Sequence, residues 1–354
     1  MSVTSPAPNS AQPLKYLTPS CQQVAHEDLS GTTAGRWVIR TCLADPAILP
    51  AISQHVCHGV ALTPAGLYTD MAAVAARHIW RSDRGHDAVT PAIKVCNLSV
   101  TKTYIIAIPP KPTGQWLEME VVPEISPFSS GDLLDATVHC QFRSITPDGV
   151  KINDLASCSV VYELDHAWLM SWSHFAPTIL ARISKLHVRA ATETSGDVMH
   201  MHRGKAYELF QSFVDYGPKY QNMAEVYVDT QTLEATATHA FQPDPATDYT
   251  TPFYMDGSCH ISGFVVNAIV DTEKNAYISQ GIESMKLSSK FDPEDHHAEI
   301  KTYVHMETMP NDKTVMRGDV YVLQNEEIVG VWEGIKFKRI PRKALNVFLP
   351  RPKV

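Results

Sequence analysis

The 354-residue chain has no run of about eighteen uninterrupted apolar residues, so no membrane-spanning helix is expected. It also lacks a basic surplus. Its 30 Lys and Arg stand against 38 Asp and Glu, a formal charge of -8 that argues against nucleic-acid binding, because neutralising phosphates needs a basic surface. The 7 cysteines are scattered and odd in number, which argues against a disulfide framework and fits a reducing cytosol. The first fifteen residues have no apolar core of the kind a secretory signal needs and read as a Pro/Ser-rich linker. His200-Met-His202 and His296-His297 have no Cys or carboxylate at zinc-like spacing, so they read as solvated surface histidines and no metal is expected.

What remains is an ordinary globular composition, 44% hydrophobic and 19% charged, on a chain long enough for two domains or a fused pair. Two short motifs stand out. His55-Val-Cys-His-Gly59-Val-Ala-Leu-Thr-Pro64 fits His-x3-Gly-x4-Pro, and Asp256-Gly-Ser-Cys-His260 lies about two hundred residues later. Each opens an apolar helical stretch, and one supplies an imidazole where the other supplies a carboxylate. Such a pair can run proton transfer beside a carbonyl without metal or cofactor. An Asp at a helix start is also the commonest helix cap, which is the plainer reading of Asp256. Cys57 and Cys259, near His55 and Asp256 within the two motifs, read as buried structural thiols.

The chain repeats its plan. Thr63 as N-cap and Pro64 in the first helical position lead into Leu67, Met71, Val74, Ala75 and His78 at helical spacing. Strand-like runs follow near 94–107, 116–125, 136–146 and 158–166, two of them joined by a Pro147-Asp148-Gly149 turn. In the second half a β-rich run at 224–241 precedes Asp256, and Ile261, Phe264, Val265, Ala268 and Ile269 predict a short helix. Strand-like segments near 275–288, 297–309, 314–324 and 328–339 come after it. Residues 167–215 are mixed in character and read as a linker over the surface, with a helix at Tyr207–Phe213. The expected fold class is α+β, a double hot dog: two tandem units, each a curved antiparallel sheet wrapping a central helix. The expected divisions are a linker at 1–13, a first unit at 14–175 carrying His55, a linker and second unit at 176–348 carrying Asp256, and a tail at 349–354.

The paired motifs resemble those of polyketide synthase dehydratases. Further segments resemble the product template domains of fungal non-reducing synthases: Tyr68-Thr-Asp70-Met71, Phe213-Val-Asp-Tyr-Gly217-Pro-Lys-Tyr220, Gly263-Phe264-Val265-Val266-Asn267, the closing Val331–Arg342 stretch and the opening Tyr16–Gln22. The resemblance covers residues 14–348, with His260 standing where Gln is common. It implies regioselective aldol cyclisation and aromatisation of a poly-β-ketone held on the phosphopantetheine arm of an acyl carrier protein. The domain would need no cofactor of its own and would work in the cytoplasm as a homodimer beside the other synthase domains.

His55 would be the general base and an ionised Asp256 would orient it by accepting its other ring N–H, favoured by a helix N-terminus. His260 and Asn267 are candidates to bind the substrate's carbonyl oxygens. Lys336, Lys338 and Arg339, in the strongest basic run, are candidates for carrier docking, although exposed alternation on a strand explains them too. Two rival readings stay open. One is a dehydratase domain of a reducing synthase acting on β-hydroxyacyl thioesters, in which Asp256 would be a proton donor with a raised pKa. The other is a non-catalytic hot dog scaffold.

Overall fold

The computed structural model describes residues 15–28, 35–125, 133–241, 249–270 and 273–350. The linker expected at 1–13 and most of the expected tail, 351–354, lie outside these.

Alternating burial builds the sheet. In Ala136–Ile145 the side chains of Ala136, Val138, Cys140 and Phe142 are buried while His139 points out, the period-two pattern of a strand with one face on a core. Thirteen strands join in one antiparallel sheet. Their order is Gln23–Glu27, Trp37–Cys42, Trp116–Ile125, Ala136–Ile145, Lys151–Glu163, Ala92–Val100, Asn275–Leu287, Glu327–Pro341, Val315–Gln324, Ile300–Thr308, Glu234–His239, Met223–Asp229 and Val198–His202. The first six come from the first half of the chain and the last seven from the second. They meet where Ala92–Val100 pairs with Asn275–Leu287, with Gly281 opposite Ser99.

The long helix Ala65–Arg84 is enclosed by this sheet. Gly66 through Ala76 are all buried, and His78 and Ile79 extend the buried stripe. Alanines at 72, 73, 75 and 76 let neighbours approach from several sides, and the Tyr162 hydroxyl donates to the Ala76 carbonyl at 2.7 Å. The cap differs from expectation. Pro64 is the N-cap and the Thr63 hydroxyl lies 2.8 Å from that of Tyr68.

In the second half, Thr251–Gly257 and His260–Phe264 form two short helices, and the backbone winds wider over Val265–Ile269. Asp256 therefore sits in the last turn of its helix, not at its start. Pro252 in the first turn marks where that helix begins.

The stretch read as a surface linker is mostly helical. Asp165–Ser173 and Ala176–Thr192 lay Trp168, Trp172, Ile179, Ile183 and Leu186 over the outer face of the second half of the sheet. There they pack on Tyr303, Leu323, Ile328 and Val331. Ile179, Ile183 and Leu186 are spaced four and three apart, a narrow stripe between charged residues.

A four-stranded second sheet carries the first motif: Val214–Tyr216, His55–Cys57, Val60–Leu62 and Ile105–Ile106. His58 and Gly59 make the two-residue turn between its central strands, both with positive φ, at 50° and 77°. That geometry is the hairpin turn for which glycine is favoured, and it accounts for Gly59 in the motif.

Candidate active site

The two motifs line one pocket with about 970 Å³ of empty space, part of it open to solvent. Its walls are mainly apolar, among them Leu62, Phe210, Phe213, Val214, Ile282 and Trp332, and its polar groups include His55, Asp256 and His260.

His55 is held by the small sheet. Tyr216 is its cross-strand partner, and the rings of Tyr216 and Tyr220 stand edge-on to the imidazole at 5.4 and 5.8 Å. The Tyr220 hydroxyl donates to the Ala51 carbonyl at 2.6 Å, so this wall is fixed. The His55 side chain is buried and its Nδ1 has no hydrogen-bond partner. Burial lowers its pKa below the ordinary 6.5, and the opposing charge of Asp256 does not reverse this. The ring is therefore neutral near pH 7.

Asp256 is bound differently from expectation. Its Oδ2 accepts from His260 Nε2 at 2.8 Å, and its Oδ1 accepts from the backbone N–H of Gly66 at 3.3 Å. Neither oxygen is hydrogen-bonded to His55, so Asp256 does not orient the ring directly; it acts on His55 through charge. The reason is helical spacing. Asp256 and His260 are four residues apart across the break between two short helices, which turns them toward each other.

The expected helix dipole is present but belongs to the other half of the chain. Gly66 lies in the first turn of Ala65–Arg84, whose free N–H groups favour a carboxylate. A Cβ on Gly66 would come within 2.7 Å of the Asp256 Cβ, so glycine is what permits the contact. Burial pushes the Asp256 carboxyl up, but His260, His55 and the Gly66 N–H together outweigh it and hold the pKa below its ordinary 3.8. Asp256 is ionised near pH 7.

His260, expected to meet substrate, is first the partner of Asp256. Its ring stacks on Tyr216 at 4.3 Å, and its Nδ1 is buried without a partner. Asn267 lines the pocket but its amide is spent on backbone: Nδ2 donates to the Tyr277 carbonyl at 3.0 Å, and Oδ1 accepts the Tyr277 N–H at 2.9 Å. It clamps the wide turn to the central strand and is not the free carbonyl binder expected. Burial, with Asp256 adding to it, raises the Cys57 and Cys259 thiols, which stay protonated. The sequence does not mark Tyr216, Tyr220 or Gly66 as site residues. Tyr216 and Tyr220 did lie in a motif-bearing segment, and Gly66 was signalled only as a glycine in the first turn of a long helix.

The basic run is largely neutralised. On Glu327–Pro341, Lys336 pairs with Glu283 at 2.9 Å and Lys338 with Asp312 at 2.7 Å, while Arg339 is exposed. His296 and His297 are exposed, and His200 and His202 lie beside Glu225. No helix among the described residues is long and apolar enough to cross a membrane.

Residues 180–346 match the family described as the polyketide synthase dehydratase N-terminal domain. The chain is 41% identical over 348 residues to a non-reducing polyketide synthase of Zymoseptoria tritici, across 97% of its own length. It is 31% identical over 349 residues, 96% of its length, to the conidial yellow pigment biosynthesis polyketide synthase of Penicillium expansum. It spans 15% of the length of each of these relatives. Among solved structures it is similar to the dehydratase domain from the CurF module of curacin polyketide synthase, with a TM-score of 0.61, 13% identity, and 91% and 99% of the two chains covered. The dehydratase domain of PpsC from Mycobacterium tuberculosis gives 0.61, 13%, 91% and 98%.

Proposed function

The chain belongs to the dehydratase-like double hot dog domains of polyketide synthases, in the product template class of the fungal non-reducing enzymes, and from this we propose that it cyclises a poly-β-ketone thioester by aldol chemistry. The observation that carries the reading is that His55 and Asp256 face one largely apolar pocket, with the Asp256 carboxylate held there by His260 and the Gly66 N–H.

With Nδ1 of His55 sealed against protein, Nε2 is the nitrogen left to act on a ligand. It takes a proton from a methylene between two carbonyls, a carbon acid within reach of a neutral imidazole. The carbanion attacks a carbonyl further along the folded chain, forming the new C–C bond. The resulting alkoxide takes the proton back from the imidazolium. A second deprotonation beside the new carbinol and loss of its oxygen as water give the double bond, and enolisation completes the aromatic ring. Asp256 steadies the imidazolium by charge, while His260 and the Gly66 N–H keep the carboxylate in place.

Selectivity comes from restraint. Apolar walls bend the chain so that one carbon meets one carbonyl. The substrate arrives on the phosphopantetheine arm of an acyl carrier protein, so the domain needs no cofactor of its own. It works in the cytoplasm as a homodimer with the other synthase domains, and Arg339 is the one residue of its expected docking group without a described ion pair. A dehydratase of β-hydroxyacyl thioesters would instead need Asp256 protonated at rest, against the groups that surround it.

The test offers the chain two substrates, followed by mass spectrometry. One is a carrier-bound poly-β-ketone made by a minimal synthase, the other a β-hydroxyacyl thioester. The expected result is a single aromatic product from the first and no water loss from the second. Dehydration of the second without cyclisation of the first overturns the proposal.

A further inference from the structure

Away from the pocket, the far edge of the large sheet brings together three metal-ligating groups that the sequence keeps apart. Val198–His202 is the edge strand, paired antiparallel with Met223–Asp229, with His200 opposite Tyr227 and His202 opposite Glu225. His200 and His202 are two apart on a strand, so both rings leave the same face, while Met201 between them is buried. Glu225 supplies from the neighbouring strand the carboxylate that no spacing in the sequence could show.

We propose that His200, His202 and Glu225 form a binding site for a divalent transition-metal ion of the zinc type. The geometry is close to what such an ion requires. Two ligands at about 2.0–2.1 Å in a tetrahedral arrangement lie about 3.4 Å apart. His202 Nδ1 is 3.4 Å from Glu225 Oε1, His200 Nε2 is 3.9 Å from it, and all three ligand atoms lie within 4.8 Å of one another. Rotations of exposed side chains close the remaining gap. The His200 ring lies flat on Tyr227 at 4.2 Å, with the His187 ring 4.2 Å from the same tyrosine, so one imidazole is already oriented.

Two imidazoles and one carboxylate select zinc-like ions over magnesium or calcium, which prefer oxygen donors. Three protein ligands leave a fourth position for water or for a group on another molecule. A bound ion would tie the edge strand to its neighbour and occupy the face of an otherwise open strand edge. None of the three residues lines the His55 pocket, so the site is separable from the proposed chemistry.

The test is calorimetric titration of Zn2+ into the chelator-treated, dialysed full chain, in wild type, in His200→Ala/His202→Ala and in Glu225→Gln. His296→Ala/His297→Ala controls for exposed histidines in general. Wild type and control should each take up one equivalent with a Kd on the order of 10 µM or tighter. The double variant should bind at least tenfold more weakly and Glu225→Gln should be intermediate. Zn2+ should raise the melting temperature of wild type but not of the double variant. Exposed side chains are replaced, so melting without metal should match wild type and report that the variants fold. The proposal falls if wild type takes up no Zn2+ at about 100 µM, or if the double variant binds as wild type does.

Discussion

Replacing His260 by Leu removes the hydrogen-bond donor that faces the buried Asp256 carboxylate while leaving an apolar side chain to fill the space beside Tyr216. Asp256 would then keep only the Gly66 N–H as a hydrogen-bond donor. Breaking a buried pair from one side costs about 3–5 kcal/mol, because the remaining charge is left uncompensated. At about 1.3 °C per kcal/mol for a chain of this size, Tm should fall by about 4–7 °C near pH 8. The sign with pH follows from linkage. In the wild type the Asp256 pKa is depressed, so its contribution is present above the unfolded value of 3.8 and is lost as pH falls through the folded value. Without His260, burial, already the largest influence on this carboxyl, is far less opposed and the folded pKa rises. The variant then loses stability as pH rises, and the Tm gap to wild type should widen from about pH 5 to about pH 8. Thermal melts monitored by circular dichroism at the two pH values measure the gap. Equal loss at both would refute the view that His260 serves to hold the Asp256 charge.

Two other substitutions probe the supports of the site. Gly66→Ala should cost about 1–3 kcal/mol by overpacking, since the new methyl meets Asp256 and the Pro252 carbonyl within 3 Å, and should also slow cyclisation; unfolding curves and turnover on the same preparation check both. Asn267→Leu should lower stability by about 2 kcal/mol because it strands the Tyr277 N–H and carbonyl, while the ring-closure position of the product stays as in wild type.

Strand alternation and helical spacing were legible in the chain because burial writes them directly. The segments expected at 116–125 and 314–324 are strands at Trp116–Ile125 and Val315–Gln324, and Leu67, Met71, Val74, Ala75 and His78 all lie on the buried helix. Residues 224–241 hid a hairpin, because the turn at 230–233 contains neither Gly nor Pro. The helix Ala176–Thr192 is legible as well, since Ala176, Ile179, Leu180, Ile183 and Leu186 recur at helical spacing, and the expectation of a surface linker there passed over that pattern. At the site, His55 and Asp256 could be named from their motifs, but their partners could not. The Asp256–Gly66 contact joins residues 190 apart and depends on a missing side chain, a signal carried by backbone approach alone. Lys336 and Lys338, candidates for docking or for plain strand alternation, pair with Glu283 and Asp312 on a neighbouring strand and loop, partners that no spacing in the chain reveals.

A neutral His55 acting as the base predicts what its removal does when His55→Ala is reconstituted beside wild type with a minimal synthase and carrier protein, products being resolved by mass spectrometry across pH. Wild type should give one defined aromatic product, with activity persisting below the ordinary imidazole pKa of 6.5 because burial lowers that of His55. His55→Ala should give only spontaneously closed pyrones of the same mass range at every pH. The same aromatic product in the same yield from both proteins would contradict the account.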